Sequence, residues 1–417
     1  MILSTQRPEP SSLKQTFLTT SIVYVEWVEY ALYLYLGTVI SHYFFPQALG
    51  DNALLFTYGI FAISYIGRPL GGLLFGYYAD KRGRRPPLII SAFLIAFATT
   101  SIGLIPSYEH IGIIAPILLL ICRFIQSIAV AGEFNNASIY LIEHARTKKI
   151  LAGSWVGCAA SAGMFTGGLI AYILSQIEYQ NAWRFAFVIA GIFSLLIMYF
   201  RSALSESPLF TLARSQKNSP SLYQQLTKHK LGLLKIAVIA AFMCLYIYTC
   251  NVYFMSYMVT RLGYTMSEAS LYMMLTQAGV TLFIPIMAMI AERIGLEIMM
   301  KTMIPSICIM ALILFWGASV GSDAIIIIGL SLYVIANSGI SASIFKYMFD
   351  ILPLHIRCTG TSFIYSLSVA IVGGSAPILA AFLINQDYLM APAYYICSIG
   401  LISFILINLK TTWHAER

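Results

Sequence analysis

The side chains in this sequence best suited to acid–base and charge chemistry lie where charge is costly. Glu26 and Glu29 fall in "VEWVEYALYLYLG" (residues 25–37), Arg68 in "GRPLGGLLFG", and Arg123 and Glu133 in "RFIQSIAVAGEF". Each run is otherwise apolar enough to cross a bilayer. One charge near a membrane-helix centre costs roughly 2.5–3.5 kcal/mol, so five unpaired would cost about 12–17 kcal/mol. That rivals the ~5–15 kcal/mol stability of a whole domain. These groups are therefore expected to be neutralised, paired or hydrated. Helical spacing places Glu26 and Glu29 on one face, with Tyr30 and Tyr33 a turn further along. Arg123, Gln126 and Ser127 share another face, and Glu133 shares one with Gln126. Two neighbouring carboxyls cannot both ionise cheaply in low dielectric, so one is expected to hold a proton. Glu29, close to mid-depth, is the expected proton carrier, with Glu26 as its coupled neighbour and Glu133 as a third acid. Arg123 is then the switchable counter-ion, and Arg68 a second deep cation. A static ion-pair network is the alternative.

The elements that hold these residues are membrane helices. Of 417 residues, 59% are hydrophobic and only 10% charged, against roughly 25% charged in soluble domains. Polar, Pro and Gly breaks divide the chain into twelve expected spans, near 17–41, 53–79, 87–106, 113–142, 150–174, 183–203, 232–260, 268–291, 300–319, 323–348, 359–384 and 391–409. The first sixteen residues are polar and no cleavage pattern follows, so the first run is expected to be retained. Twenty of the twenty-five Lys and Arg residues, Arg201 among them, fall on one side of this map. The positive-inside rule makes that side cytoplasmic, with both termini on it. The net charge of +8 thus reports topology, and no nucleic-acid partner is expected. Seven cysteines lie in or beside apolar runs without a CxxC, and six histidines at loops or span ends. Neither pattern makes a metal site.

The long polar stretch "SESPLFTLARSQKNSPSLYQQLTKHK" separates six spans from six. The expected organisation is an N-terminal six-helix bundle (1–203), a cytoplasmic linker (204–231) and a C-terminal six-helix bundle (232–417). A faint repeat agrees: "ADKRGRR" (79–85) ends span 2 and "AERIGLE" (291–297) ends span 8, as duplicated halves would place them. Spans 7–12 carry no ionisable residue at mid-depth, and Lys346 is expected to snorkel from the end of span 10. Their polar residues are Tyr248, Asn251, Gln277, Tyr333, Asn337 and Tyr365. Interhelical hydrogen bonding accounts for any one of them; together they suit the uncharged wall of a central cavity. The expected division of labour gives protons and anionic groups to the first half, shape and hydroxyls to the second. Gly67, Gly71, Gly72 and Gly76 permit close helix approach.

"GYYADKRGRR" (76–85) resembles the signature loop of the major facilitator superfamily at Gly76, Asp80, Gly83, Arg84 and Arg85. More of the chain is similar to its metabolite:proton symporter branch. Glu26-Trp27-Val28-Glu29-Tyr30 stands where that branch has Glu-Trp-Tyr-Asp-Phe. Residues 123–134 follow its Arg-x-x-Gln-Gly-x-x-x-Gly-Gly-Glu pattern, and "AWRFAF", "SESPLF" and residues 352–377 resemble further stretches. The chain departs at Val28, Glu29, Ser127, Ala131 and the pair Asn135-Asn136. The resemblance implies an all-α membrane protein, twelve transmembrane helices in two pseudo-symmetric six-helix bundles. It implies gating roles for Gly76, Asp80, Gly83 and Arg84, with Asp80 a latch between the halves in the outward-facing state.

The expected function is secondary active transport by alternating access. It would be proton-coupled import of an organic acid, zwitterion or betaine, a carboxylate preferred, across a bacterial-type inner membrane. Arg123, Arg68, Gln126, Tyr30, Tyr33, Tyr248, Asn251, Gln277, Asn337 and Tyr365 are the candidate substrate contacts. A proton-antiport exporter of an organic acid or siderophore is the alternative on this fold, and a non-transporting sensor a further one. No enzyme is expected, since neither a nucleophile–base set nor a nucleotide loop is present. No cofactor beyond the proton gradient is expected. The expected partners are the lipid bilayer, protons and a small-molecule substrate, with the protein acting as a monomer.

Overall fold

The computed structural model describes residues 13–46, 52–175, 177, 181–213 and 226–409. Ten of its helices are long and apolar enough to cross a membrane. They run Arg85–Leu104, Ile114–His144, Lys149–Leu174, Ala182–Arg201, Lys230–Leu262, Met266–Ile294, Leu296–Val320, Asp323–Ile351, Arg357–Asn385 and Ala391–Asn408, and are spans 3 to 12 here. Spans 1 and 2 complete the twelve, and they carry Glu26, Glu29 and Arg68. Span 1 is the helix Leu13–Tyr35, continued as Gly37–Phe44. Its two acids dilute an apolar pattern that would otherwise be plain.

Span 2 is broken into Asn52–Ser64 and Gly67–Arg82 by a turn at Tyr65 and Ile66. Pro69 is the cause, because it has no N–H to give the carbonyl four residues back, at Tyr65. That carbonyl takes the Arg68 N–H at 3.0 Å instead. Span 11 loosens into a π turn over Val369–Gly373, four residues ahead of Pro377, for the same reason. Span 7 has its own π turn at Tyr248–Tyr253. Thr265 and Glu268 form a capping box that starts span 8.

Within the first six spans, span 1 packs on span 5 and span 3 on span 6; in the second six, spans 9 and 10 pair closely. The two bundles meet along two seams, span 2 against span 11 and span 5 against span 8. Large apolar side chains point outward around the molecule, Leu282, Ile378 and Phe382 among them, as a lipid-facing belt requires. The fold is an all-α membrane protein of two six-helix bundles. The expected linker, 204–231, runs through residues 214–225, which lie outside the described residues; within it Pro208–Ala213 is a short helix.

Candidate functional site

A central cavity lies between the bundles, with about 940 Å³ of empty space including its open mouth. Its wall includes Glu26, Trp27 and Tyr30 of span 1, Arg68 of span 2, Phe134 and Asn135 of span 4, Tyr248 and Asn251 of span 7, Gln277 of span 8, Tyr333 and Asn337 of span 10, and Tyr365 of span 11. Eight of the expected contacts and couplers therefore converge, namely Glu26, Tyr30, Arg68, Tyr248, Asn251, Gln277, Asn337 and Tyr365. Trp27, Phe134 and Tyr365 make a continuous aromatic surface, with centroids 6.1 Å apart for Trp27–Phe134 and 5.9 Å for Phe134–Tyr365. Tyr30 stands 5.0 Å from Trp27.

An acid and a base, Glu26 and Arg68, face this space, and among the described residues neither makes an ion pair. Glu26 is 6% exposed and its Oε2 has no hydrogen-bond partner. Arg68 lies over the Tyr65 ring at 4.4 Å, and its Nε is unpartnered. Tyr65 and Tyr248 join hydroxyls at 2.7 Å, tying span 2 to span 7. The tyrosines sit at the turn in span 2 and at the start of the π turn in span 7. Asn337 is held by Tyr246 (2.8 Å) and Ser341 (3.2 Å).

Four expected site residues lie elsewhere. Arg123 is ion-paired to Glu29 at 2.9 Å, donates to the side-chain Oε1 of Gln126 at 3.1 Å and stacks 3.6 Å over Tyr33. Gln126 goes on to Thr99 (2.8 Å), and the Tyr33 hydroxyl to the Thr57 carbonyl (2.8 Å). None of these four residues lines the cavity. The expectation that Glu26 and Glu29 share a face is corrected as well. Three residues turn a helix by about 300°, so the pairs that align are Glu26 with Tyr30 and Glu29 with Tyr33. Span 1 thus points one acid at the cavity and the other at span 4.

Glu133 is corrected more strongly. Its carboxylate binds Arg201 at 2.6 and 2.9 Å and accepts from Ser91 at 2.7 Å. Arg201 also donates to the carbonyls of Leu18 (2.8 Å), Leu88 (2.9 Å) and Thr19. All five guanidinium N–H groups are thereby used, and both side chains are fully buried. This is a clamp joining spans 1, 3, 4 and 6, and neither Glu133 nor Arg201 lines the cavity. Arg201 reads from sequence as an interfacial cation because it ends a span; only packing shows it buried.

On the basic face the seams are closed. Asp80 accepts the N–H groups of Cys358 (3.1 Å) and Thr359 (2.8 Å) and the Thr359 hydroxyl (2.7 Å), at the start of span 11. Gly76 lets the backbones meet there: a Cβ would stand 2.7 Å from Thr359 Cα. Arg84 is buried, forked on Glu143 at 3.1 and 3.2 Å, and reaches the Leu354 carbonyl at 3.2 Å. Arg357 approaches the same carboxylate at 3.5 Å. Gly83, at φ +110°, leaves room for Glu206, which holds the Arg84 N–H at 2.7 Å. The second seam has its own counterpart. Glu292 accepts the N–H groups of Ile150 (2.6 Å) and Leu151 (3.2 Å), at the start of span 5. Asp80 and Glu292 hold the same offset in the repeated loop sequence, and each caps a helix of the opposite half. Lys346 is paired with Asp350 one turn on.

The Major Facilitator Superfamily model matches residues 27–377. The chain belongs to this superfamily. Among similar proteins is the proline/betaine transporter of Salmonella typhimurium, 33% identical over 93% of this chain and 81% of that one. Another is the glycine betaine/proline/ectoine/pipecolic acid transporter OusA of Dickeya dadantii, 30% identical over 91% and 79%. Among solved structures, the proton:xylose symporter XylE shares the fold at a TM-score of 0.77, with 16% identity over 95% of each chain. The major facilitator chain is a multi-pass membrane transporter and not an enzyme. Sequence reasoning missed Glu143, Arg201, Glu206, Glu292 and Arg357, all polar residues at span ends. Only Glu292 left a usable signal, the repeat at 291–297.

Proposed function

We propose that this transporter imports a small zwitterion of the proline or betaine kind, driven by protons. The carrying observation is the pair Glu26 and Arg68, an acid and a base that make no ion pair among the described residues and face one aromatic-walled cavity. With both side chains ionised, a zwitterion laid between them leaves the mid-membrane cavity without net charge, whereas a simple anion or cation leaves one unit, at roughly 2.5–3.5 kcal/mol. Arg68 takes the carboxylate. Glu26 and the rings of Trp27, Tyr30, Phe134 and Tyr365 take the cationic end, through charge and cation–π attraction. The names of the relatives support this class of solute. Glu29 and Arg123, secluded from the cavity, serve as the proton-coupling pair: protonation of Glu29 frees Arg123 and relaxes span 1 against span 4. With the basic face cytoplasmic in an inner membrane, closed seams make this the outward-facing state, and Asp80 is its latch. No cofactor takes part, and a monomer suffices. One proton moving through 100 mV supplies ~2.3 kcal/mol, enough for more than tenfold accumulation at 1.4 kcal/mol per decade.

Proteoliposome flux tests the reading. Labelled glycine betaine and proline should accumulate under an inward proton gradient and alkalinise the medium. Glu29→Gln should abolish accumulation while sparing exchange. Preferential carriage of simple carboxylate anions would sink the zwitterion assignment, and proton release accompanying export would replace symport by antiport.

A further inference from the structure

The two ionisable ends account for the ends of a zwitterion and leave four cavity side chains with unpartnered polar atoms among the described residues: Trp27 at Nε1, Tyr333 at its hydroxyl, Asn251 at Nδ2 and Asn135 at both atoms of its amide. Asn135 projects from span 4 into the same space and is 1% exposed. Neither its Oδ1 nor its Nδ2 has a hydrogen-bond partner among the described residues. Its main-chain carbonyl is occupied, accepting from Ser138 at 2.8 Å, so the amide alone remains to be satisfied. The next residue, Asn136, is not part of the cavity wall; it ties its Nδ2 to the Gly132 carbonyl at 2.8 Å and leaves only its Oδ1 unpartnered. Across the cavity, the Nδ2 of Asn251 in span 7 is likewise unpartnered. Alkyl groups alone would be fully served by the rings. An amide set beside Phe134 disfavours them, since it presents a buried donor and acceptor that an alkyl group leaves unsatisfied.

We propose that Asn135 is a specificity-determining residue, and that the substrate is a zwitterion bearing a neutral hydroxyl besides its two charges. A hydroxyl both donates and accepts, so it answers both atoms of the amide, with Asn251 as a second donor. A site built to hydrogen-bond a substrate hydroxyl discriminates against the analogue that lacks it, because its own buried polar groups are then left unpaired. This inference rests on the zwitterion reading above.

The experiment compares matched substrates differing by one hydroxyl, proline with 4-hydroxyproline and γ-butyrobetaine with carnitine, in proteoliposomes of the full chain. The wild type should favour the hydroxylated member of each pair about tenfold in kcat/KM, the worth of roughly one hydrogen bond. Asn135→Ala should collapse that ratio towards one, and Asn135→Ser should restore part of it. Equal carriage of both members by the wild type overturns the inference and leaves the zwitterion reading standing. Failure to carry any of the four overturns both. Should Asn135→Ala fail to give monodisperse protein, isothermal titration calorimetry of the wild type with each member of the two pairs decides the matter: equal affinities refute the proposal, and tighter binding of the hydroxylated members supports it.

Discussion

Asp80 and Glu292 make a quantitative prediction about how the two bundles close. Each carboxylate caps the first N–H groups of a helix in the opposite half, Cys358 and Thr359 for Asp80, Ile150 and Leu151 for Glu292. Deleting an N-cap acceptor costs ~0.5–2 kcal/mol, and a carboxylate at a partly buried helix start adds up to ~2 kcal/mol. Asp80 also binds the Thr359 hydroxyl, so Asp80→Ala should weaken closure by about 2–3 kcal/mol and Glu292→Ala by about 1–2 kcal/mol. At 1.4 kcal/mol per decade these are about 30- to 140-fold and 5- to 30-fold shifts towards the open basic face. Hydrogen–deuterium exchange, read by mass spectrometry at the starts of spans 5 and 11 in nanodiscs, measures them. If one rigid-body movement breaks both seams, each single variant must speed exchange at both helix starts, and the double variant must show roughly the sum. Acceleration confined to the mutated seam would refute the shared closure and reduce each carboxylate to a local cap.

Three further outcomes follow from the packing. Gly76→Leu should hold the basic face open, because even a Cβ would lie 2.7 Å from Thr359 Cα and 2.8 Å from the Cys358 carbonyl; the same exchange assay should show a fast span 11 start, and an unchanged rate would count against the seam. Arg201→Ala strips one partner from a fully buried pair, a loss of about 3–5 kcal/mol, and should lower the melting temperature by about 10 °C, whereas Glu29→Gln should remain well folded; a stable, transport-competent Arg201→Ala would show that the clamp is dispensable. In the loop before span 11, burial first, then His229, Arg357 and Lys228, hold the His355 imidazole below its ordinary value of 6.5. Protonation is thus disfavoured in the fold, so its stability is complete above pH 6.5 and declines as the pH falls below it. His355→Gln should flatten that part of a melting-temperature profile between pH 8 and 5.

The sequence by itself determined the membrane class, the twelve spans and the placing of Glu26, Glu29, Arg68 and Arg123 within them. Apolar run length is imposed by bilayer thickness, and each of these properties is local to one helix. It also carried the signature loop and, faintly, its second copy. Which partner each charge finds was decided only by the tertiary structure. Helical spacing put Glu26 and Glu29 together, yet the roughly 60° left by three residues was enough to turn one towards the cavity and the other towards Arg123. Helical spacing also sets Glu133 on a face with Gln126, as a third acid for proton coupling, but Arg201, sixty-eight residues later, claims its carboxylate. Arg357 reads as a cytoplasmic loop charge until the seams close over it, and the Glu143 that it shares with Arg84 is not legible in the loop sequence. Pairing of charges depends on which helices become neighbours, and that is set by small-residue contacts such as Gly76 against Thr359, whose partners no single stretch of sequence names.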